Sequence, residues 1–137
     1  DLATLYATGT GVAPSAFTAS DWLRRAAEAG HMDAEIEYGI WLFQGRGVPV
    51  SQSAGAMYFR SAAEKGSPVA QNRLARCYMH GAGIQADPVE AAKWHLISKA
   101  GGSSDKPLED LVAKLSKSDR AKAQQAADEW IEKFRLK

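Results

Sequence analysis

Gly9-Thr-Gly-Val12 returns as Gly45-Arg-Gly-Val48 and again as Gly81-Ala-Gly-Ile84, one phrase written three times at a step of 36 residues. Self-similarity at a fixed period of roughly 20–50 residues marks a chain that stacks one supersecondary unit. Working outward from the middle copy gives that unit. Before Gly45, the residues Ala34, Tyr38, Gly39, Leu42 and Phe43 fall at helical spacing. Glycine then supplies the left-handed turn on which helices commonly end. After Val48, Ser51 is placed to cap a second helix with the inner stripe Gly55, Tyr58, Phe59, Ala62 and Ala63, closed by Gly66. One unit is helix, glycine loop, helix, glycine.

The flanking units obey the same grammar. In the first, Leu2, Ala3, Tyr6 and Ala7 read as the remainder of a helix, and Gly9 and Gly11 form the loop. Ser15 stands as the cap before Ala19, Trp22, Leu23, Ala26 and Ala27, and Gly30 closes the unit. In the third, Ser67-Pro68 opens one helix, Gly81 and Gly83 form the loop, and Asp87-Pro-Val-Glu90 resembles a capping box. Its second helix carries Ala91, Trp94, His95 and Ser98. Superposing the units puts Trp22, Tyr58 and Trp94 in one column, where an aromatic is expected to fill the space between helices. Agreement inside one chain points to a shared packing role, because each unit solves the same problem. The predicted units are 1–30, 31–66 and 67–102 of a single domain spanning 1–137. Residue 1 falls partway through a helix, so the chain is expected to be a fragment of a longer repeat protein, with association through its truncated N-terminal end.

After Gly102 the pattern breaks. Leu108, Leu111, Val112 and Leu115 predict a short helix, and Ser116 can cap a last one over about 117–134. That helix buries Ala123, Ala126, Ala127, Trp130, Ile131 and Phe134 on one side. From residue 106 onward there are eight Lys/Arg and six Asp/Glu, which suits the polar exterior a solenoid needs on its terminal unit. Residues 103–137 are therefore the expected helical cap.

Composition narrows the function. The 137 residues are 45% apolar, enough for a core, and carry a formal net charge of +1 with a pI of about 8.1. No general field draws in nucleic acid or an anionic membrane. The longest apolar run, Tyr38 to Phe43, is six residues, against the ~18 or more of a membrane helix, so no direct membrane insertion is expected. Cys77 is the single cysteine and leaves the redox compartment open. His31, His80 and His95 lie in different places of different units, and none has a second ligand at metal-binding helical spacing. No metal, no cofactor and no catalytic set is predicted. His95 shares the column of Leu23 and Phe59 and reads as a partly buried, satisfied histidine. Cys77 reads as a small buried thiol, with Arg73 and Arg76 close enough in the helix to lower its pKa.

These residues resemble the Sel1-like repeats, relatives of the tetratricopeptide repeats. The family's unit pairs two helices around a G-x-G-V loop, and its second helix runs A-x-x-W/Y-x-x-x-A-A-x-x-G. Ala19, Trp22, Ala26, Ala27 and Gly30 match it, as do Tyr58, Ala62, Ala63 and Gly66, with Gly55 replacing the first alanine. The third unit keeps Ala91, Trp94 and Gly102 but has Ser98 and Lys99 for the alanine pair. The resemblance covers residues 1–102. It implies an all-α fold, an α/α solenoid wound as a right-handed superhelix with a C-terminal helical cap. It also implies non-catalytic adaptor work in bacterial signalling or envelope processes, in a periplasmic or secreted setting. The alternative is an enzyme or cell-wall-ligand binder of the kind associated with cysteine-rich relatives, whose cysteine pairs this sequence lacks. A deep pocket gathering His80, Cys77 and a carboxylate would favour that alternative.

In such solenoids the first helix of each unit lines the concave groove. The columns 2/38/74, 3/39/75, 6/42/78 and 7/43/79 are its core. The columns 1/37/73, 4/40/76, 5/41/77 and 8/44/80 differ between units and are free to serve a partner. The candidate partner-binding residues are Glu37, Ile40, Trp41, Gln44, Arg73, Arg76 and His80. Trp41 offers an aromatic anchor. Arg73, Arg76 and His80 form one basic stripe at i, i+3, i+7. The expected partner is another protein or peptide, an acidic one by this stripe. The competing reading packs Trp41 against a neighbouring helix and pairs the arginines with Glu35 or Glu37.

Overall fold

The computed structural model describes residues 15–136, with side chains from Thr18 onward. The expectations for Gly9, Gly11, the first helix before them and the Ser15 side chain lie outside the described residues. Within them the chain is all-α, seven helices and no strand: α1 Ser15–Glu28, α2 Met32–Gln44, α3 Gln52–Glu64, α4 Pro68–His80, α5 Pro88–Ala100, α6 Lys106–Lys114 and α7 Lys117–Arg135. Each of the first five packs on the next, α6 lies on α5 and α4, and α7 folds back along α5.

The glycine loops are copies down to single hydrogen bonds. Gly45 and Gly81 end α2 and α4 at φ of 72° and 68°, and their amides donate to the Trp41 and Cys77 carbonyls. Ser51 N–H reaches the Leu42 carbonyl at 2.9 Å, and Asp87 N–H reaches Tyr78 at 3.0 Å, clamping the start of each second helix to the end of the first. The loops also touch the unit before them. Ser20 of α1 donates to the Gly47 carbonyl at 3.0 Å. A Cβ on Gly83 would stand 2.1 Å from the Gln52 carbonyl oxygen at the start of α3. Glycine is needed there for room as well as for its φ of 76°.

Ser51, Ser67 and Ser116 cap their helices through the amides of Ala54, Ala70 and Asp119. Asp87 caps α5 by accepting from Val89 and Glu90 at 3.1 Å each. The return half of a capping box is not made, because the Asp87 amide is already committed to Tyr78.

Two apolar clusters run along the stack. The smaller gathers Ala19, Leu23 and Ala27 of α1 with Tyr38, Trp41 and Leu42 of α2. The larger is centred on Leu74, Ala75, Ala91, Trp94 and Ile97, with Leu108 and Ala127 from the cap, and Ile40 packs against both. At the crossing of α2 and α3, glycine is needed on both helices. A Cβ on Gly39 would meet the Phe59 ring at 2.6 Å, and one on Gly55 would meet Phe43 at 2.5 Å, while the two rings stack 5.5 Å apart. In the third unit the corresponding residues are Ala75, Ala91, Met79 and His95. The smaller residue, leaving the deeper notch, goes with the larger plug.

The aromatic column divides. Trp94 is buried edge-on against Trp130 of α7, and Tyr58 is half-buried edge-on against Tyr38. Trp22, expected to fill an interhelical space, is 41% exposed under the Arg25 guanidinium. The difference follows from the packing: α7 lies directly on α5, whereas α1 and α3 meet chiefly through the α2 helix between them.

Candidate functional site

On the open side of α2 and α4 lies a groove of about 270 Å³. Ile40, Phe43 and Gln44 come to it from α2, Phe59 from α3, Arg73, Arg76, Cys77 and His80 from α4, and Ala82 from the loop after α4. Five of the residues singled out as partner-binding, Ile40, Gln44, Arg73, Arg76 and His80, are brought together here. Glu37 sits half-buried on α2 outside the lining.

Trp41 is elsewhere, and its expected placement is corrected. It is 3% exposed in the α1–α2 cluster, with Arg46 stacked 4.5 Å over its ring. At 3.6 residues per turn, position 41 lies about 60° around the helix from Tyr38. That is still within the wide apolar arc of a core-facing helix. Its counterpart Cys77 is buried in the same way. Positions 41 and 77 therefore belong to the core, and the all-apolar sequence of the column, Leu5, Trp41 and Cys77, carried that signal. Sequence reasoning also put Phe43 and Phe59 wholly inside and passed over Ala82. Phe59 comes from a different helix, and no local spacing connects it to the groove.

The two arginines are in different electrostatic states. Arg76 donates through Nε to Asp105 at 2.7 Å, and Asn72 donates to the same oxygen at 2.9 Å. The other Asp105 oxygen caps α6 through the Leu108 amide at 3.1 Å. Burial pushes the Asp105 carboxyl upward, but the bonds from Asn72, Arg76 and Leu108 outweigh it and hold the group below its ordinary value. Neither Glu35 nor Glu37 is the carboxylate that pairs with this stripe. Glu35 is buried and accepts from Ser61 at 2.5 Å and Lys65 at 2.8 Å.

Arg73 has no such partner. Its guanidinium carbon lies 5.9 Å from the Phe59 ring centroid, and its Nε is buried without an acceptor. Among the described residues no carboxylate stands within ion-pair distance of it. An unpaired polar group inside a protein is costly, so this donor is the most exacting feature of the groove.

Cys77 beside it is not a nucleophile in waiting. Burial pushes its thiol up to about 11, and the nearby Arg73 charge only partly opposes this. His80 and Cys77 share the groove, and among the described residues that line it there is no carboxylate to join them. His95 is fully buried behind α6, its Nε2 bonding Glu109 at 2.9 Å while Nδ1 has no partner. It is only half satisfied, and it faces the cap. Among the described residues no three His, Cys, Asp or Glu side chains could hold a metal together, and no helix is long and apolar enough to cross a membrane.

A hollow of about 440 Å³ on the α1–α3 side is lined by Glu28, Glu35, Met57, Tyr58 and Ser61 among others. Its carboxylates are already bonded: Glu35 to Ser61 and Lys65, Glu28 to Arg24. It presents no unmet demand comparable to Arg73.

Stacked helix pairs with an open groove and a helical cap define an α-helical repeat protein. The Sel1 repeat profile matches residues 1–31, 33–67 and 68–103, and the chain belongs to the Sel1 repeat family, whose repeats generally serve protein interaction. A crystal structure of a protective antigen present in uropathogenic Escherichia coli strains, displaying an SLR fold, superposes with a TM-score of 0.86 at 28% identity. The match takes in 96% of this chain and 29% of that one. A Sel1 repeat protein from Oxalobacter formigenes gives a TM-score of 0.73 at 24% identity, over 96% of this chain and 56% of its own. This chain thus spans less than two thirds of the length of either. No curated protein matches it in sequence.

Proposed function

We propose that this chain is a non-catalytic adaptor that holds an acidic segment of a partner protein in the α2–α4 groove. The observation that carries the proposal is Arg73, a cation with a buried, unsatisfied Nε set against an aromatic ring at the groove wall. A carboxylate from outside would pair with the guanidinium at the groove wall, which has no carboxylate partner among the described residues. Arg76 and His80 extend the same wall, and Ile40 and Phe43 offer apolar contact opposite. Arg73 stands in the position of a binding hot spot, and removing such a residue costs about 2 kcal/mol or more.

The test is selection from a displayed random-peptide library on the wild-type protein and on Arg73→Glu. Acidic binders are expected from the wild type and should be lost on the variant, with affinity falling as salt rises. Recovery of the same acidic peptides on both proteins would sink the assignment. An exported or periplasmic setting, with a role in bacterial signalling or envelope processes, goes with this reading on family grounds. Fractionation of the source cells would test the compartment.

A further inference from the structure

The α2–α4 groove is lined by three basic side chains, Arg73, Arg76 and His80, and they do not count equally as charges. Arg76 is offset by the buried Asp105, whose carboxylate stands 2.7 Å from its Nε. Burial opposes ionisation of Asp105, but the bonds from Asn72, Arg76 and the Leu108 amide outweigh it and keep the carboxylate charged. Arg73 lines the groove with no carboxylate beside it. With Arg76 paired, the arginines leave one net positive charge on the wall. His80 is the remaining basic group of the lining, and imidazole is the side chain whose charge ordinarily changes between about pH 5 and pH 8. A single proton on His80 therefore doubles the net charge of the groove.

The surroundings of His80 decide when that proton is held. His80 is exposed and is the last residue of α4, where helix-terminal carbonyls favour a cation. Arg76 and Arg73, one and two turns earlier on the same helix, oppose one. Across the groove, α2 brings Ile40, Phe43 and Gln44 and α3 brings Phe59, none of them charged. Glu37 of α2 lies outside the lining. Asp87 and Glu90, at the start of α5, act on the Tyr78 phenol. Asp105, at the start of α6, is taken by Arg76 and Asn72. Among the described residues that line the groove, none supplies an anion to balance His80, so the carboxylates of a bound acidic segment would supply it.

We propose that capture of the acidic segment is coupled to protonation of His80, whose imidazolium joins Arg73 in holding the partner's carboxylates. The sign follows from linkage: an anion that favours protonated His80 is itself bound more tightly by the protonated groove. Affinity rises as pH falls from about 8 to about 6, and binding takes up a proton. The ligand sets the lower limit, because near the ordinary Asp and Glu values its own carboxylates lose their charge. The inference rests on the proposed acidic-segment function and adds its regulation.

Fluorescence anisotropy of rhodamine-labelled hexaglutamate on the full chain, at low ionic strength, tests it. The proteins compared are wild type, His80→Gln, His80→Lys and Arg73→Glu, shown equally helical by circular dichroism. Wild-type affinity is expected to rise about threefold from pH 8 to pH 6, as one exposed charge pair allows. His80→Gln should stay at the wild type's pH 8 level throughout, and His80→Lys, charged at both values, at its pH 6 level. At pH 7 the peptide should also move the His80 ring signals in NMR toward their protonated positions. Those of His31, at the opposite end of α2 from the groove, should not move. Binding that is lost in Arg73→Glu but equal at both pH values, or that rises as steeply in His80→Gln, or that leaves the His80 signals unmoved, overturns the coupling. Each of these leaves the acidic groove standing. No binding to the wild type, or binding undiminished in Arg73→Glu, overturns both.

Discussion

At the scale of single residues, Arg73 and Cys77 are one turn apart on α4 and have opposite consequences. Arg73 is held short of a partner, and Cys77 is held short of ionising. A thiol ordinarily near 9.0 and pushed up to about 11 has about a hundredfold less thiolate at any pH below both values. Alkylation by iodoacetamide at pH 8 should therefore be at least about a hundredfold slower in the folded protein than in urea, with burial slowing it further. Comparable rates in the two states would show that Cys77 is open to solvent. Part of this was legible in the sequence. The i, i+3, i+7 spacing puts Arg73, Arg76 and His80 on one stripe whatever the rest of the chain does. The position of Trp41 was less so, since it lies at the edge between two faces, and there the neighbouring helix decides. The acceptor of Arg76 could not be read locally at all, because Asp105 comes from a later turn.

At the scale of elements, Asp105 joins α4 to the start of α6. Its folded-state pKa is lowered, so its contribution is complete above the ordinary carboxylate value of 3.8 and is lost as pH falls below that value. Stability should fall on acidification in that range. Asp105→Ala removes the helix cap and the charged bonds together and should cost about 2–3 kcal/mol. Asp105→Asn keeps capping ability and should cost less, while flattening the acid limb. Urea melts from pH 5 to pH 2 would check this, and an unchanged acid limb in Asp105→Asn would refute the linkage. The helices were readable from the sequence because their punctuation is local: glycine after, serine or aspartate before. The departure at Asp87 was not, because whether a capping box closes depends on where its amide is already engaged.

Across the whole molecule, stability should be unequal along the stack. Units of a solenoid are held by their neighbours, and α4 and α5 are covered by α3, α6 and α7. Their cluster holds the fully buried Leu74, Ala75 and Ala91. Amide exchange should be slowest in α4 and α5 and faster at the end of α7. Equal protection of the end of α7 and of α4 would indicate a single cooperative block instead. The period announced this linear order, but not that α7 turns back on α5 to cover Trp94.

The interlocked glycines and phenylalanines of α2 and α3 bear on how such a chain can change. Gly39, Phe43, Gly55 and Phe59 are complementary to one another, and the next unit has Ala75, Met79, Ala91 and His95 at the same positions. A helix moved from one unit to the other would bring a ring without its notch, or a notch without its ring, leaving a clash in one junction and a void in the other. The unit of recombination is therefore the helix pair and not the helix. An exposed residue such as Met57 can drift alone, but these four must be exchanged together.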